Sequence, residues 1–285
     1  MPSEPGRSAQ RQTERSWNMD KLGWRMGVDA MAAASAGALV APVITMIDRG
    51  IVENSSGRNT LGNSIRGSLN TLLFRPHRYI FSKPFGLIFA LYTGTYLTAN
   101  TIDTFHTTVS RSPTDPAQPL PLTTTTAGPS KFLATSAANL ALCLYKDSHF
   151  TKLFGAGARG AAAAAAVPRT TYALFALRDC LTIFASFNAP PLLAPYLGLS
   201  AAQFAAPAAA QLFSTPLHLL GLDAYNVRGA VPAGQRWRRV RRLWLKSCVA
   251  RVGRIVPAFG LGGVVNLWVR REFMSGLDEE GRWEG

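Results

Sequence analysis

Arg178 and Asp179 stand inside an otherwise apolar stretch that runs from Val167 to Phe187. Charge within hydrocarbon is expensive and is normally kept there for function, so an arginine facing a water-filled cavity would anchor an anionic group. The other reading of Arg178 is a side chain that snorkels out of a shorter helix. Neighbours on a helix point about 100° apart, so Arg178 and Asp179 need not pair with each other. His218 lies about one turn before Asp223, just past Pro216. Its imidazole is either a proton sensor or a neutral, hydrogen-bonded group filling a helix interface. Asp29, near the start of the first apolar stretch, is either a cavity acid or a charge favoured by the helix dipole. Asn100, Asn139 and Asn266 fall in three different stretches, where interhelical hydrogen bonding explains each.

Other chemistry finds no foothold. Cys143, Cys180 and Cys248 are scattered, as are His77, His106, His149 and His218, so no metal site or cofactor is expected. No Gly-rich phosphate loop, nucleophile elbow or paired-carboxylate site is apparent, and the chain does not read as an enzyme. A net charge of +14 would suggest nucleic acid in a soluble protein. The basic run Arg236, Arg238, Arg239, Arg241 and Arg242, interleaved with Trp237 and Trp244, lies between apolar stretches, however. There a basic amphipathic segment suits anionic lipid headgroups, and no nucleic-acid partner is expected.

These residues must be positioned by apolar elements, and the sequence holds six of near-spanning length. They are Val28–Ile47, Pro84–Ile102, Phe132–Tyr145, Val167–Phe187, Leu199–Leu222 and Ile255–Val269. A bilayer core needs about twenty mostly apolar residues in a helix, which makes the chain an integral membrane protein. Lys and Arg crowd into alternate connections, so those connections should lie on the side from which insertion begins. An even number of spans places both termini opposite them. Residues 1–23 are polar and expected to be disordered, 106–129 form a Pro- and Thr-rich flexible link, and 274–285 an acidic tail.

The stretches group into three helix–loop–helix units, 24–105, 130–190 and 191–273. In the first and third, a small-residue run leads to Pro42 or Pro216, deep enough within its helix to delete a backbone bond and kink the span. An acid follows each proline, at Asp48 and Asp223, and the second unit has Asp147 after Tyr145-Lys146. Pro84, Pro168 and Pro257 open the second helix of each unit.

This pattern, with Leu243-Trp244-Leu245-Lys246 and Arg251-Val252-Gly253-Arg254-Ile255-Val256-Pro257 in the third unit, resembles the mitochondrial carrier family. The resemblance implies an all-α membrane protein with six transmembrane helices in three pseudo-repeated hairpins. It also implies a place in the mitochondrial inner membrane, or alternatively the outer. Arg254, three residues before Pro257, resembles a substrate contact of that family, its other reading being one more arginine on the basic side. With Arg178, His218 and Asp29 it makes up the expected substrate-binding set. The chain departs from the family where charged gate residues are expected: Ile44, Ile47, His218 and Gly221 occupy those positions. Two functions therefore stand side by side. One is transport of a small anionic metabolite. The other is a non-transporting carrier-fold protein acting in membrane organisation or protein assembly.

Overall fold

A computed structural model describes residues 17–110, 112, 118–126, 128–156, 166–227, 229 and 231–283. The described residues form helices α1 (Leu22–Ser55), α2 (Leu61–Phe74), α3 (Pro76–Ile80), α4 (Lys83–Val109), α5 (Pro129–Phe154), α6 (Arg169–Leu197), α7 (Leu199–Asn226), α8 (Ala233–Gly253) and α9 (Gly262–Trp283). A π-helical segment, Val256–Leu261, runs from α8 into α9. The expected loop before the sixth stretch is thus helical, and Pro257 sits in the π-segment of one long rod.

Local chemistry sets the helix ends. The side chains of Thr60 and Ser82 accept the backbone N–H groups of Asn63 and Phe85, capping α2 and α4. Pro84 occupies the first turn of α4, where its missing N–H costs nothing. Gly198 alone separates α6 from α7; its φ of 74° lies in the left-handed region that glycine enters without penalty.

The helices pack in a closed cycle: α1 against α4, α4 against α5, α5 against α6, α6 against α7, α7 against α8, and α9 back against α1. Small residues let neighbouring backbones approach. Ala32, Ala33 and Ala36 are fully buried, and a Cβ at Gly37 would collide with Thr93 of α4. On α7 the buried Ala202, Ala206 and Ala210 recur every four residues and form one face. Large apolar side chains turn outward, among them Leu39, Phe105, Leu133, Phe184, Phe213 and Trp268. By length and composition two segments are fit to cross a membrane, Leu22–Ser55 and the continuous helix Ala233–Glu279.

Three segments are more ordered than their composition implies. Residues 1–16 lie outside the described residues, but Asn18 donates its backbone N–H to the Thr108 carbonyl. The described part of the Pro- and Thr-rich link is pinned: Leu122 is buried and donates its N–H to Asp278, and Thr126 donates to Asp103. Residues 274–283 of the acidic tail continue α9, anchored by the fully buried Met274. The buried Asp103 and the half-buried Asp278, each accepting a backbone N–H, hold this end in place of a loose linker.

Candidate functional site

A cavity of about 590 Å³ lies inside the helix cycle, walled by α4, α5, α6, one residue of α7 and the α8–π junction. Its apolar lining includes Leu91, Phe132, Ile183 and Ile255, and its neutral polar lining includes Thr95, Asn139, Thr182 and Ser186. At one end Lys131, Thr126 and Gly128 line it, where Lys131 holds both oxygens of Asp103 at 2.7 Å. Lys146, Arg178, Asp179, Gln211, Arg251 and Arg254 line the other.

That second end is built from one chain of alternating charge. Arg254 binds Asp48 at 2.5 Å, and Asp48 binds Lys146 at 2.8 Å. Lys146 meets Asp147 at 2.5 Å, Asp147 meets Arg178 at 2.6 Å, and Arg178 meets Asp179 at 2.6 Å. The sequence of charges is cation, acid, cation, acid, cation, acid, so the chain is formally neutral. It links the end of α8 to α1, α5 and α6. Arg178 and Lys146 also lie over the faces of Phe175 and Phe150, which shield the chain from behind. Buried charges are tolerated when paired in this way, and removal of one member strands its neighbour.

Arg251 stands beside this chain and outside its pairing. Its Nε donates to Gln211 Oε1 at 2.9 Å, while its Nη1 is buried without a partner. Gln211 is fixed for this role, since its Nε2 donates to the Pro207 carbonyl and its Oε1 also accepts from Ser214. At the far end of the chain Asp179 uses Oδ1 for Arg178, and its Oδ2 is buried without a partner. Among the described residues, no cluster of His, Cys, Asp and Glu is placed to hold a metal ion.

Residues 32–274 match the family described as probable citrulline exporter. The chain belongs to the probable citrulline exporter family. A comparison with curated proteins returned no match. This membership corrects the resemblance to mitochondrial carriers, whose motifs are short and degenerate while the exporter match covers nearly all of the helical region. The mitochondrial location followed from that resemblance alone and loses its basis with it.

The exporter-family fold brings together only part of the expected binding set. Arg254 and Arg178 both line the cavity, as members of the charge chain. His218 does not line it. Arg178 Nη1 lies 2.9 Å from His218 Nδ1, and a guanidinium has no acceptor, so Nδ1 must accept and the ring is neutral. Its ring lies tilted against that of Phe175, with centroids 5.1 Å apart, which fits the interface role over that of a proton sensor. Asp29 is buried elsewhere: it binds Arg270 at 2.8 Å and Thr104 at 2.6 Å, near the Asn100–Asn266 amide pair.

Of the basic run expected at lipid headgroups, Arg236 and Arg239 are turned inward to Asp223, each at 2.7 Å, while Arg238, Arg241 and Arg242 are exposed. Pro42 and Pro216 lie inside α1 and α7, and so does Pro207, whose position within the fifth stretch carried the same signal. Sequence reasoning missed Lys146, Gln211 and Arg251 as cavity residues. The available signal was the acid that follows in each unit: Asp48, Asp147 and Asp223 each bind two cations. The departure from charged gate positions at Ile44 and Ile47 therefore leaves no gap, because the neighbouring Asp48 supplies the pairing.

Proposed function

We propose that the protein spans a membrane with six helices, α1, α4, α5, α6, α7 and the π–α9 segment, and exports citrulline or a neutral amino acid of similar size through the central cavity. The observation that carries this reading is the cavity itself. It is lined by apolar side chains with a few neutral polar groups and bounded at one end by the neutral charge chain, while Leu39, Phe184, Phe213 and Trp268 point away from the bundle. A volume of about 590 Å³ sits within the usual range of ~300–1,000 Å³ for small-molecule sites. A soluble bundle has no reason to bury a run of ion pairs while exposing large apolar side chains on several helices. Family membership supplies the direction and the solute. The basic connections then face the compartment from which the chain inserts, and the termini face the other.

A non-transporting role drew its support from missing gate charges, and the chain from Arg254 to Asp179 removes that support. The purified protein in liposomes loaded with L-citrulline should accumulate labelled citrulline by exchange. Protein that is folded yet matches empty liposomes would refute the proposal.

A further inference from the structure

We infer that Arg251 and Asp179 together read the head group of an α-amino acid, the guanidinium taking the carboxylate and the Asp179 side chain taking the ammonium. The inference rests on the transport reading for the use of the cavity, and on the pairing of charges for the residues. In the chain from Arg254 to Asp179 every cation has an acid and every acid a cation. Arg251 is the cation left over. It is 6% exposed, lines the cavity, and its Nε is bound by the neutral oxygen of Gln211. A buried guanidinium with an unpartnered Nη1 and, among the described residues, no acid of its own carries a large desolvation cost, which an arriving carboxylate offsets through a charge-assisted bond.

Asp179 is the complementary loose end. It is 8% exposed, lines the same cavity, and leaves Oδ2 without a donor. Both unpartnered atoms belong to side chains that line the cavity.

The charge balance selects the ligand class. A dianion would need a second free cation, and Lys146, Arg178 and Arg254 are each held by a carboxylate. A simple amine would meet the uncompensated charge of Arg251. A zwitterion satisfies both loose ends and leaves the net charge of the site unchanged.

The rest of the solute then extends along α5 and α6, past Asn139, Thr182 and Ser186. Thr182 and Ser186 donate their hydroxyls to the carbonyls of Arg178 and Thr182, which leaves their oxygens to accept. These oxygen acceptors suit a neutral N–H-bearing side chain such as a ureido group, and among the described residues Asp179 is the one carboxylate that lines the cavity.

The test uses wild-type protein in liposomes, with L-citrulline, N-acetyl-citrulline and citrulline amide as competitors of labelled citrulline. Only the intact zwitterion should compete. Arg251→Gln and Asp179→Asn should each raise KM by about thirtyfold or more, the scale of truncating one partner of a buried charge pair. Arg251→Lys, which keeps the charge and loses the fork, should fall between. Equal competition by either blocked analogue overturns the head-group reading while leaving transport intact, and so does an unchanged KM in both variants. If citrulline is not transported at all, the transport reading fails. The head-group reading is then decided by thermal stabilisation of the protein in detergent. It survives if some α-amino acid stabilises more than its own acetyl and amide derivatives, and falls if none does.

Discussion

Trp244 on α8 donates its indole N–H to the Leu212 carbonyl at 3.0 Å, and Leu212 lies four residues before Pro216. A proline inside a helix cannot supply the N–H for the carbonyl four residues earlier, so Pro216 orphans this one. The side chain of one helix thus fills the hydrogen bond that a proline removes from another, and α8 is tied to α7 at the kink. Trp244→Phe should lower stability by ~1 kcal/mol, the typical net worth of such a bond. In a Pro216→Ala background, where the backbone bond can reform, the same change should cost little. Unfolding in detergent of the four proteins of this cycle measures the coupling; equal losses in both backgrounds would show that Trp244 acts by packing alone.

Asp48, like Asp147, binds two cations of the charge chain, here Lys146 on α5 and Arg254 at the end of α8. Asp48→Asn should destabilise by roughly 3–5 kcal/mol, because it leaves Arg254 without an acid and Lys146 with Asp147 alone. Arg254→Gln should cost less, since Asp48 keeps Lys146. The double variant should recover part of the loss by removing the stranded charge. Thermal unfolding in one detergent orders the three, and a milder effect for Asp48→Asn than for Arg254→Gln would contradict the chain.

The cavity can be located by thiol chemistry. With Cys143, Cys180 and Cys248 replaced by serine or alanine, a cysteine at Thr182 should react with a small water-soluble thiosulfonate, and L-citrulline should slow the reaction. A cysteine at Phe184, which is 62% exposed on the outer face that the proposed bilayer covers, should react far more slowly and without any effect of citrulline. Equal protection at both positions would remove Thr182 from the solute path.

Asn100 and Asn266 exchange amide hydrogen bonds at 2.9 Å in both directions and join α4 to α9 far from the charge chain. Asn100 also donates to the Asp29 carbonyl, so Asn100→Ala should cost more than the ~1 kcal/mol of Asn266→Ala, and the double variant little more than Asn100→Ala alone, since the pair is then already broken. Additive losses, read from the same unfolding assay, would mean that each amide has a separate partner.

Periodicity and hydropathy made the helices legible, and the asparagines announced their interhelical bonds. What they hid was where the helices end. The third apolar stretch stops at Tyr145 because Lys146 and Asp147 follow, yet α5 continues to Phe154 with both charges buried. The first stretch stops at Ile47 before Asp48, and α1 continues to Ser55 in the same way. Arg251 and Arg254 read as loop arginines for the same reason. Hydropathy scores a charge as solvent-facing whatever it pairs with, so the residues that close the cavity were assigned to the connections. Pairing is a property of the folded cycle, in which Asp48 and Arg254 meet across 206 residues of chain. The side-chain bond that Arg251 donates to Gln211 is equally silent in sequence, since nothing local distinguishes that glutamine from a surface one.

Citrulline exchange by reconstituted protein tests the central claim most directly. Wild-type protein should accumulate labelled L-citrulline against an equal external concentration when the liposomes are preloaded. Thr182→Trp, which fills the cavity without removing a charged residue, should abolish the accumulation while melting near the wild-type temperature. Wild-type protein that folds, reconstitutes and exchanges no more citrulline than empty liposomes would contradict the account.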